Sequence, residues 1–231
     1  AELQGLKVFP EPWATGGLYM LGSFGRNTCE WNDRYRDDMR DWLRGQFGKA
    51  GAFTYAVSGS VGTFQPAENH WSCNFITCHD GFTLWDLLSW NWKNNLANGE
   101  DNRDGTNENR SWNGGPDGAY NGVLDVDADN LSEADAGRIQ SLPEQTRTNV
   151  VAFRERQFRN ASVILYLSQG VLLDLYGNEI GRAQNGNNNA YCQLDLVRMP
   201  WKRLAQAPYA TMLKFRQKLF AFRQANHINA C

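Results

Sequence analysis

The sequence predicts an α/β protein built on a parallel sheet, a (β/α)8 TIM barrel of which about half is present as its last strands and helices. Three observations predict this. The apolar run Phe75-Ile76-Thr77-Cys78 suits a buried parallel strand over residues 74–78. His79 and Asp80 follow it, Gly81 turns the chain, and Thr83 caps a helix from Leu84 whose apolar stripe is Leu84, Leu87 and Leu88. Asp86, three residues past Thr83, makes a variant of the capping box. This β-loop-α unit sets an imidazole and a carboxylate at the strand's C-terminal mouth, where barrels carry their chemistry. Finally, strands alternate with helices along the whole chain, with polar residues at the strand ends. About four strands can be read, whereas a complete barrel takes about 250 residues. With a long polar insertion, 231 residues are too few.

In order, Lys7-Val8-Phe9 reads as a short strand running into Pro10-Glu11-Pro12-Trp13. A glutamate between two prolines cannot sit inside a helix, so Glu11 is held on a stiff loop. Residues 14–25 form a glycine-rich shaped loop containing Tyr19 and Phe24. Cys29-Glu30-Trp31 is the next strand. Asn32 or Asp33 then caps a helix with Tyr35, Met39, Trp42 and Leu43 on its buried face. A short helix over residues 52–57 and a loop over 59–66 lead to the strand at 74–78.

Residues 97–145 turn polar and rich in Asn, Asp and Gly, an insertion of the kind that is usually functional. The helix from about residue 146 to 168 carries Val150, Phe153, Ala161, Ile164 and Leu167 on one side. Gly170 ends it, and a strand from Val171 to Tyr176 follows. Glu179, just past that strand, reads as a structural hydrogen-bonding group. The last helix, residues 209–224, shows a stripe of Met212, Phe215, Leu219 and Phe222. No linker interrupts the chain, so it reads as one partial catalytic domain. Its segments are residues 1–96 with the glutamate loop and the His-Asp strand, 97–145 as the insertion, and 146–231 as the last helices and strand.

A net charge of -2 leaves no basic excess to neutralise phosphates, so nucleic acid is not an expected partner. No apolar run approaches the roughly 20 residues of a membrane helix, and no secretion signal opens the sequence, so neither membrane nor export is expected. The five cysteines are scattered, odd in number and never C-x-x-C, which suggests neither a disulfide framework nor structural zinc and fits a reducing compartment. The 9 Trp, 8 Tyr and 12 Phe are compatible with a carbohydrate cleft, although core packing explains most of them.

Several stretches resemble one family. Phe75-Ile76-Thr77-Cys78-His79-Asp80-Gly81-Phe82-Thr83-Leu84 is similar to the F-x-x-x-H-D-G-F-T-L segment of isoamylase-type glycogen and starch debranching enzymes of the α-amylase superfamily. Pro10-Glu11-Pro12-Trp13 resembles that family's A-E-P-W-D, and Glu30-Trp31-Asn32-Asp33-Arg34-Tyr35-Arg36-Asp37 its E-W-N-D-R-[FY]-R-D. Asn98-Gly99-Glu100-Asp101-Asn102-Arg103-Asp104-Gly105 resembles its N-G-E-N-N-R-D-G, and Gly186-Asn187-Asn188-Asn189-Ala190-Tyr191-Cys192-Gln193 its G-N-N-N-x-Y-C-Q. The likeness runs over nearly the whole chain, in order.

The resemblance implies hydrolysis of α-1,6 branch linkages in glycogen or amylopectin by a retaining two-carboxylate mechanism. It implies Glu11 as general acid/base, and a His79-Asp80 pair that binds and distorts the sugar, with Asp80 stabilising the transition state. Trp13 is either core or a stacking platform for substrate. The family's nucleophilic aspartate lies in a G-F-R-F-D-type segment that does not occur in this sequence, so these residues alone are expected to be inactive. Retaining glycosidases hold their two carboxyl groups about 5–5.5 Å apart, so Glu11 and Asp80 are expected to converge at one rim. A carboxyl beside Pro and Trp sits in a partly apolar setting that suits an acid.

The sequence departs from the family at Ala14 (for Asp), Asn94 (for His), Gly114 (for Cys) and Asn178 (for Asp), and Leu194 interrupts an Asp-rich segment. Alternatives are a non-catalytic glucan-binding subunit of a debranching complex and an α-glucan transglycosidase. Oligomers with other debranching subunits are left open, in the cytoplasm or a plastid. No cofactor is expected. Calcium is the one alternative, at Glu100, Asn102 and Asp104 or at Asp125, Asp127 and Asp129, but Ser111 and Ala136 stand where the last ligand belongs. Solvated loops explain both stretches better.

Overall fold

A computed structural model describes residues 6–117, 137, 140–205 and 209–228. Its longer elements are β1 (Thr28–Trp31), α1 (Asp33–Leu43), α2 (Ala50–Val57), β2 (His70–Asn74), α3 (Leu84–Leu87), α4 (Glu144–Leu167), β3 (Val171–Leu172), α5 (Leu194–Val197) and α6 (Tyr209–Ala225). The three strands form one parallel sheet in the order β1-β2-β3, with Trp31 opposite Cys73 and Cys73 opposite Val171. No described helix is long and apolar enough to cross a membrane. The acidic stretch from Asp125 to Asn130, with Ala136 beyond it, lies outside the described residues.

The described residues pack as two compact units. One comprises residues 6–76, 162–174 and 218–228, and the other residues 77–117, 137, 140–161, 175–205 and 209–217.

The first unit holds the sheet. Residues 8–10 lie along β1: the Cys29 N–H donates to Val8 O at 2.8 Å and the Trp31 N–H to Pro10 O at 3.0 Å. The Val8 N–H donates to Asn27 O at 3.5 Å but Pro10 has no N–H to return, so the strand expected over residues 7–9 amounts to an edge segment with a single parallel bridge, Val8 to Thr28. Because all these segments run parallel, Glu11, Asn32, Phe75 and Leu173 emerge at the same, C-terminal edge of the sheet.

Helix α1 starts as the sequence predicts, with Asn32 Oδ1 accepting from the Tyr35 N–H at 2.9 Å. Asn32 also donates to Ser72 Oγ at 2.8 Å, tying the cap to β2. Tyr35, Met39 and Leu43 are buried. Trp42 corrects the expected buried face: it is 40% exposed and stacks on Phe53 of α2 at 4.4 Å, while Arg40 and Asp41 turn inward.

The strand expected at 74–78 lies earlier, at His70–Asn74. Phe75, Ile76, Thr77 and Cys78 are all buried, which explains the apolar run, but they leave the sheet. A side chain supplies the donor that a neighbouring strand would have given, since Arg40 Nε donates to Ile76 O at 2.8 Å. β3 is likewise shorter than expected, two paired residues continued only by the Leu173 N–H to Asn74 O at 2.9 Å. Among the described residues, three strands and one bridged edge segment therefore replace the four strands read from sequence.

Both long helices exist near their expected limits, but their buried faces differ. α4 buries Val150, Arg154, Phe158, Ala161, Leu165 and Tyr166, whereas Phe153 and Ile164 are half-buried and Leu167 is exposed. α6 buries Tyr209, Met212, Arg216 and Arg223, while Phe222 is 51% exposed. Arginine takes the inward positions because it has work there. Arg154 donates to Asn113 O at 2.8 Å and Pro116 O at 2.7 Å. Arg223 donates to the carbonyls of Tyr166, Ser168 and Gly170 at and just past the C-terminal end of α4, where a helix terminus otherwise leaves acceptors open.

Candidate active site

Glu11 follows the last ladder acceptor of the edge segment, Pro10, and is exposed. Beyond it the loop folds back on itself: the Ala14 N–H donates to Leu18 O at 3.0 Å and the Met20 N–H to Pro12 O at 2.7 Å. Between these bonds half-buried Trp13 stands opposite Tyr19 in an antiparallel bridge.

The returning strand of this loop is pinned to β1 by a buried carboxylate. Glu30, 0% exposed, accepts from the Gly22 N–H at 2.7 Å and the Phe24 N–H at 3.0 Å, and its Oε1 lies 2.7 Å from His70 Nε2 of β2. Those donors compensate the cost of burying the carboxylate. In the sequence Glu30 is part of a strand and of a family motif, with no site role of its own. The available signal was an acidic residue between apolar Cys29 and Trp31 inside a strand.

The second unit carries His79 and Asp80. Their Nε2 and Oδ2 atoms are 3.5 Å apart, and the side chains are 62% and 80% exposed. The stretch around them is clamped on both sides. The Asn178 amide donates to Thr77 Oγ1 at 2.9 Å and accepts from the Leu84 N–H at 3.0 Å. The Gly81 N–H donates to Asn188 O at 3.0 Å. Asn178 thus fills the structural hydrogen-bonding role that the sequence assigned to Glu179.

Thr83 caps α3 as predicted, accepting from the Asp86 N–H and donating to Asp86 Oδ2 at 2.8 Å. The helix is only one turn long, and Asp86 does more than cap it. Its fully buried carboxylate accepts from the Gln184 N–H at 2.6 Å and the Gly186 N–H at 3.2 Å. Burial pushes this carboxyl up to about 6, against the opposing pull of those hydrogen bonds and of the Arg182 charge.

Asparagines knit the remaining loops together. Asn188 donates to Asn109 Oδ1 at 2.8 Å, while its own Oδ1 accepts from Asn95 Nδ2 at 2.8 Å. Asp104 Oδ2 accepts from Asn98 at 2.7 Å and Asn189 at 3.0 Å, and hydrogen bonding, that from Asn98 first, holds its carboxyl below the ordinary value. At the positions weighed for calcium, Asn102 accepts from the Asn95 N–H at 2.8 Å and Glu100 from the Tyr191 hydroxyl at 2.6 Å. Among the described residues no group of three His, Cys, Asp or Glu could hold a metal ion.

Chemically, unit one presents an exposed carboxyl group with a half-buried indole two residues on. The other presents an imidazole and a carboxylate on a braced loop. A carboxyl group can donate a proton to a leaving oxygen, and the His-Asp pair can hydrogen-bond sugar hydroxyls.

No family model matches the chain. It is 37% identical over 225 residues to isoamylase 1, chloroplastic, of Arabidopsis thaliana, covering 96% of this chain and 25% of that protein. It is 40% identical over 230 residues to the glycogen operon protein GlgX homolog of Mycobacterium tuberculosis (strain ATCC 25618 / H37Rv), covering 95% of this chain and 28% of that protein. Its fold matches a pullulanase from Bacillus acidopullulyticus with a TM-score of 0.57 at 19% identity, over 93% of this chain and 22% of the other. The chain spans about a quarter of the length of the curated relatives it matches. With that similarity running nearly end to end, the chain belongs to the isoamylase-type family of glycogen and starch debranching enzymes.

Proposed function

We propose that the protein carrying this stretch hydrolyses α-1,6 branch linkages in glycogen- or amylopectin-type glucans with retention of configuration. In this reading the stretch supplies part of a (β/α)8 barrel. Glu11 protonates the leaving glucosyl oxygen and then deprotonates the incoming water. Asp80 and His79 hydrogen-bond the sugar at the cleavage point, and the Asp80 charge opposes the positive charge that develops on the ring. The nucleophilic carboxylate belongs to a segment outside these 231 residues. The protein works without a cofactor, inside the cell in the cytoplasm or a plastid, on a branched α-glucan.

The observation that supports this reading most is the identity of 37–40% to isoamylase and GlgX proteins. It extends along a chain whose Glu11 emerges at the C-terminal edge of a parallel sheet, the edge at which such sheets carry chemistry. The departures at Ala14, Asn94 and Asn178 motivate a glucan-binding subunit without turnover as the second reading. Asn178 and Asn94 serve as structural hydrogen-bonding groups, the latter donating to Asn185 O at 3.3 Å, so neither removes a proposed acid or base.

The test is amylopectin digestion by the full-length protein, followed by proton NMR of the fresh reducing ends. Linear chains appearing first as α-anomers are expected. The β-anomer appearing first would overturn the retaining mechanism. Glucan binding without chain release would establish the second reading instead, and transfer of chains to new acceptors would indicate a transglycosidase.

A further inference from the structure

We infer that Tyr19, paired with Trp13, is a sugar-stacking residue that binds a glucosyl ring of the α-glucan beside Glu11; this rests on the debranching reading above.

The geometry begins with the backbone. Trp13 and Tyr19 lie between the flanking bonds Ala14 N–H to Leu18 O and Met20 N–H to Pro12 O, which makes them a directly opposed, non-hydrogen-bonded antiparallel pair. Such pairs bring side chains closest and project them from one face of the ribbon. The two rings therefore share a face, and Trp13 is only two residues from Glu11.

Tyr19 is also held in place. Its hydroxyl donates to Asp33 Oδ1 at 2.8 Å, and the Arg34 guanidinium lies over its ring at 5.6 Å from the centroid, both groups coming from the first turn of α1. Tyr19 as a whole nevertheless stays 45% exposed. A core aromatic would be covered, and a loose surface one would not be tethered by its hydroxyl. A fixed, partly exposed ring loses little side-chain freedom when a ligand packs on it, which is what a stacking platform requires. The loop that carries it is in turn fixed by Glu30 through the Gly22 and Phe24 N–H groups. Burial and Asp33 push the phenol up to about 12, so it keeps the proton it donates to Asp33 at neutral pH.

The experiment compares wild type, Tyr19→Ala and Tyr19→Phe in the full-length protein, with two readouts. Calorimetry measures maltoheptaose binding, and amylopectin debranching gives KM and kcat. For Tyr19→Ala we expect maltoheptaose affinity to fall and KM to rise by about three- to tenfold, the worth of one aromatic contact. Tyr19→Phe, which keeps the ring and loses only the tether, loses less than Tyr19→Ala in both. Unchanged binding in Tyr19→Ala, or equal losses in both variants, overturns the proposal. If Tyr19→Ala fails to fold, Tyr19→Leu replaces it under the same criteria. Should wild type bind maltoheptaose without releasing chains, the debranching reading fails while calorimetry still decides the role of Tyr19.

Discussion

Glu30 of β1 and His70 of β2 meet inside the sheet, Oε1 to Nε2 at 2.7 Å, and the other donors on the same carboxylate are backbone N–H groups of the loop that follows Glu11. A buried contact between two strands therefore governs an exposed loop. Glu30→Ala strands the Gly22 and Phe24 N–H groups and leaves His70 without its carboxylate. Unsatisfied groups of this kind cost about 1–3 kcal/mol each, so a loss of about 3 kcal/mol or more in urea unfolding is expected. Faster hydrogen exchange at the Gly22 and Phe24 amides should accompany it. Wild-type exchange rates there would show that the carboxylate does not hold the loop.

Asp86 gives the chain a pH dependence with a definite sign. Its folded carboxyl titrates at about 6, above the ordinary value of 3.8, so the folded state binds the proton more tightly than the unfolded chain. The contribution is fully present below the unfolded value and declines as pH rises through about 6, at about 1.4 kcal/mol per pKa unit. Denaturation followed between pH 4 and 7 should show this decline in wild type and lose it in Asp86→Asn. An identical pH slope in both proteins would rule Asp86 out as the source.

Gly105 sits where a side chain has no room. Its φ is +68°, and a Cβ there would lie 2.3 Å from Asn188 Oδ1 and 2.9 Å from Asn95 Nδ2. Gly105→Ala should cost about 1–3 kcal/mol through backbone strain and disruption of the asparagine network. Thermal unfolding measures it, and a variant as stable as wild type would mean that the network yields without cost.

Arg223 closes the end of α4 by donating to three carbonyls, those of Tyr166, Ser168 and Gly170. Arg223→Met keeps the buried volume but abandons those acceptors, and a loss of about 3 kcal/mol or more is expected from their desolvation. Arg223→Lys should recover only part, because an ammonium cannot reproduce the planar fork. Full recovery by lysine in chemical denaturation would reduce the role of Arg223 to charge alone.

The parts of the fold legible in the sequence were those written in local chemistry. Asn32 and Thr83 announce helix starts because each cap is satisfied within three residues of itself. The limits of α4 and α6 follow from helical periodicity, but the phase of their buried faces does not. Arg154, Arg216 and Arg223 occupy core-facing positions through partners distant in sequence or, for Arg216, over the Phe158 ring at 4.8 Å. A rule that counts only apolar residues assigns those faces to Phe153, Leu167 and Phe222. The strand shift at Phe75 has the same origin, since an apolar run marks burial, and what satisfies its carbonyls decides whether it is a strand.

For the candidate site, Glu11, His79 and Asp80 were legible through their motifs. Glu30, Asp86 and Asn188, which fix the loops around them, were not. The donors to Asp86 and Asn188 lie far along the chain, as from Asp86 to Gln184, and two of those to Glu30 are backbone N–H groups, which a pattern of side chains does not record.

Glu11→Gln in the full-length protein, assayed by release of linear chains from amylopectin, tests the acid/base role proposed for Glu11. Loss of the proton donor should lower kcat by about 10²–10⁴-fold while maltoheptaose binding persists. Debranching at the wild-type rate by Glu11→Gln would contradict that role.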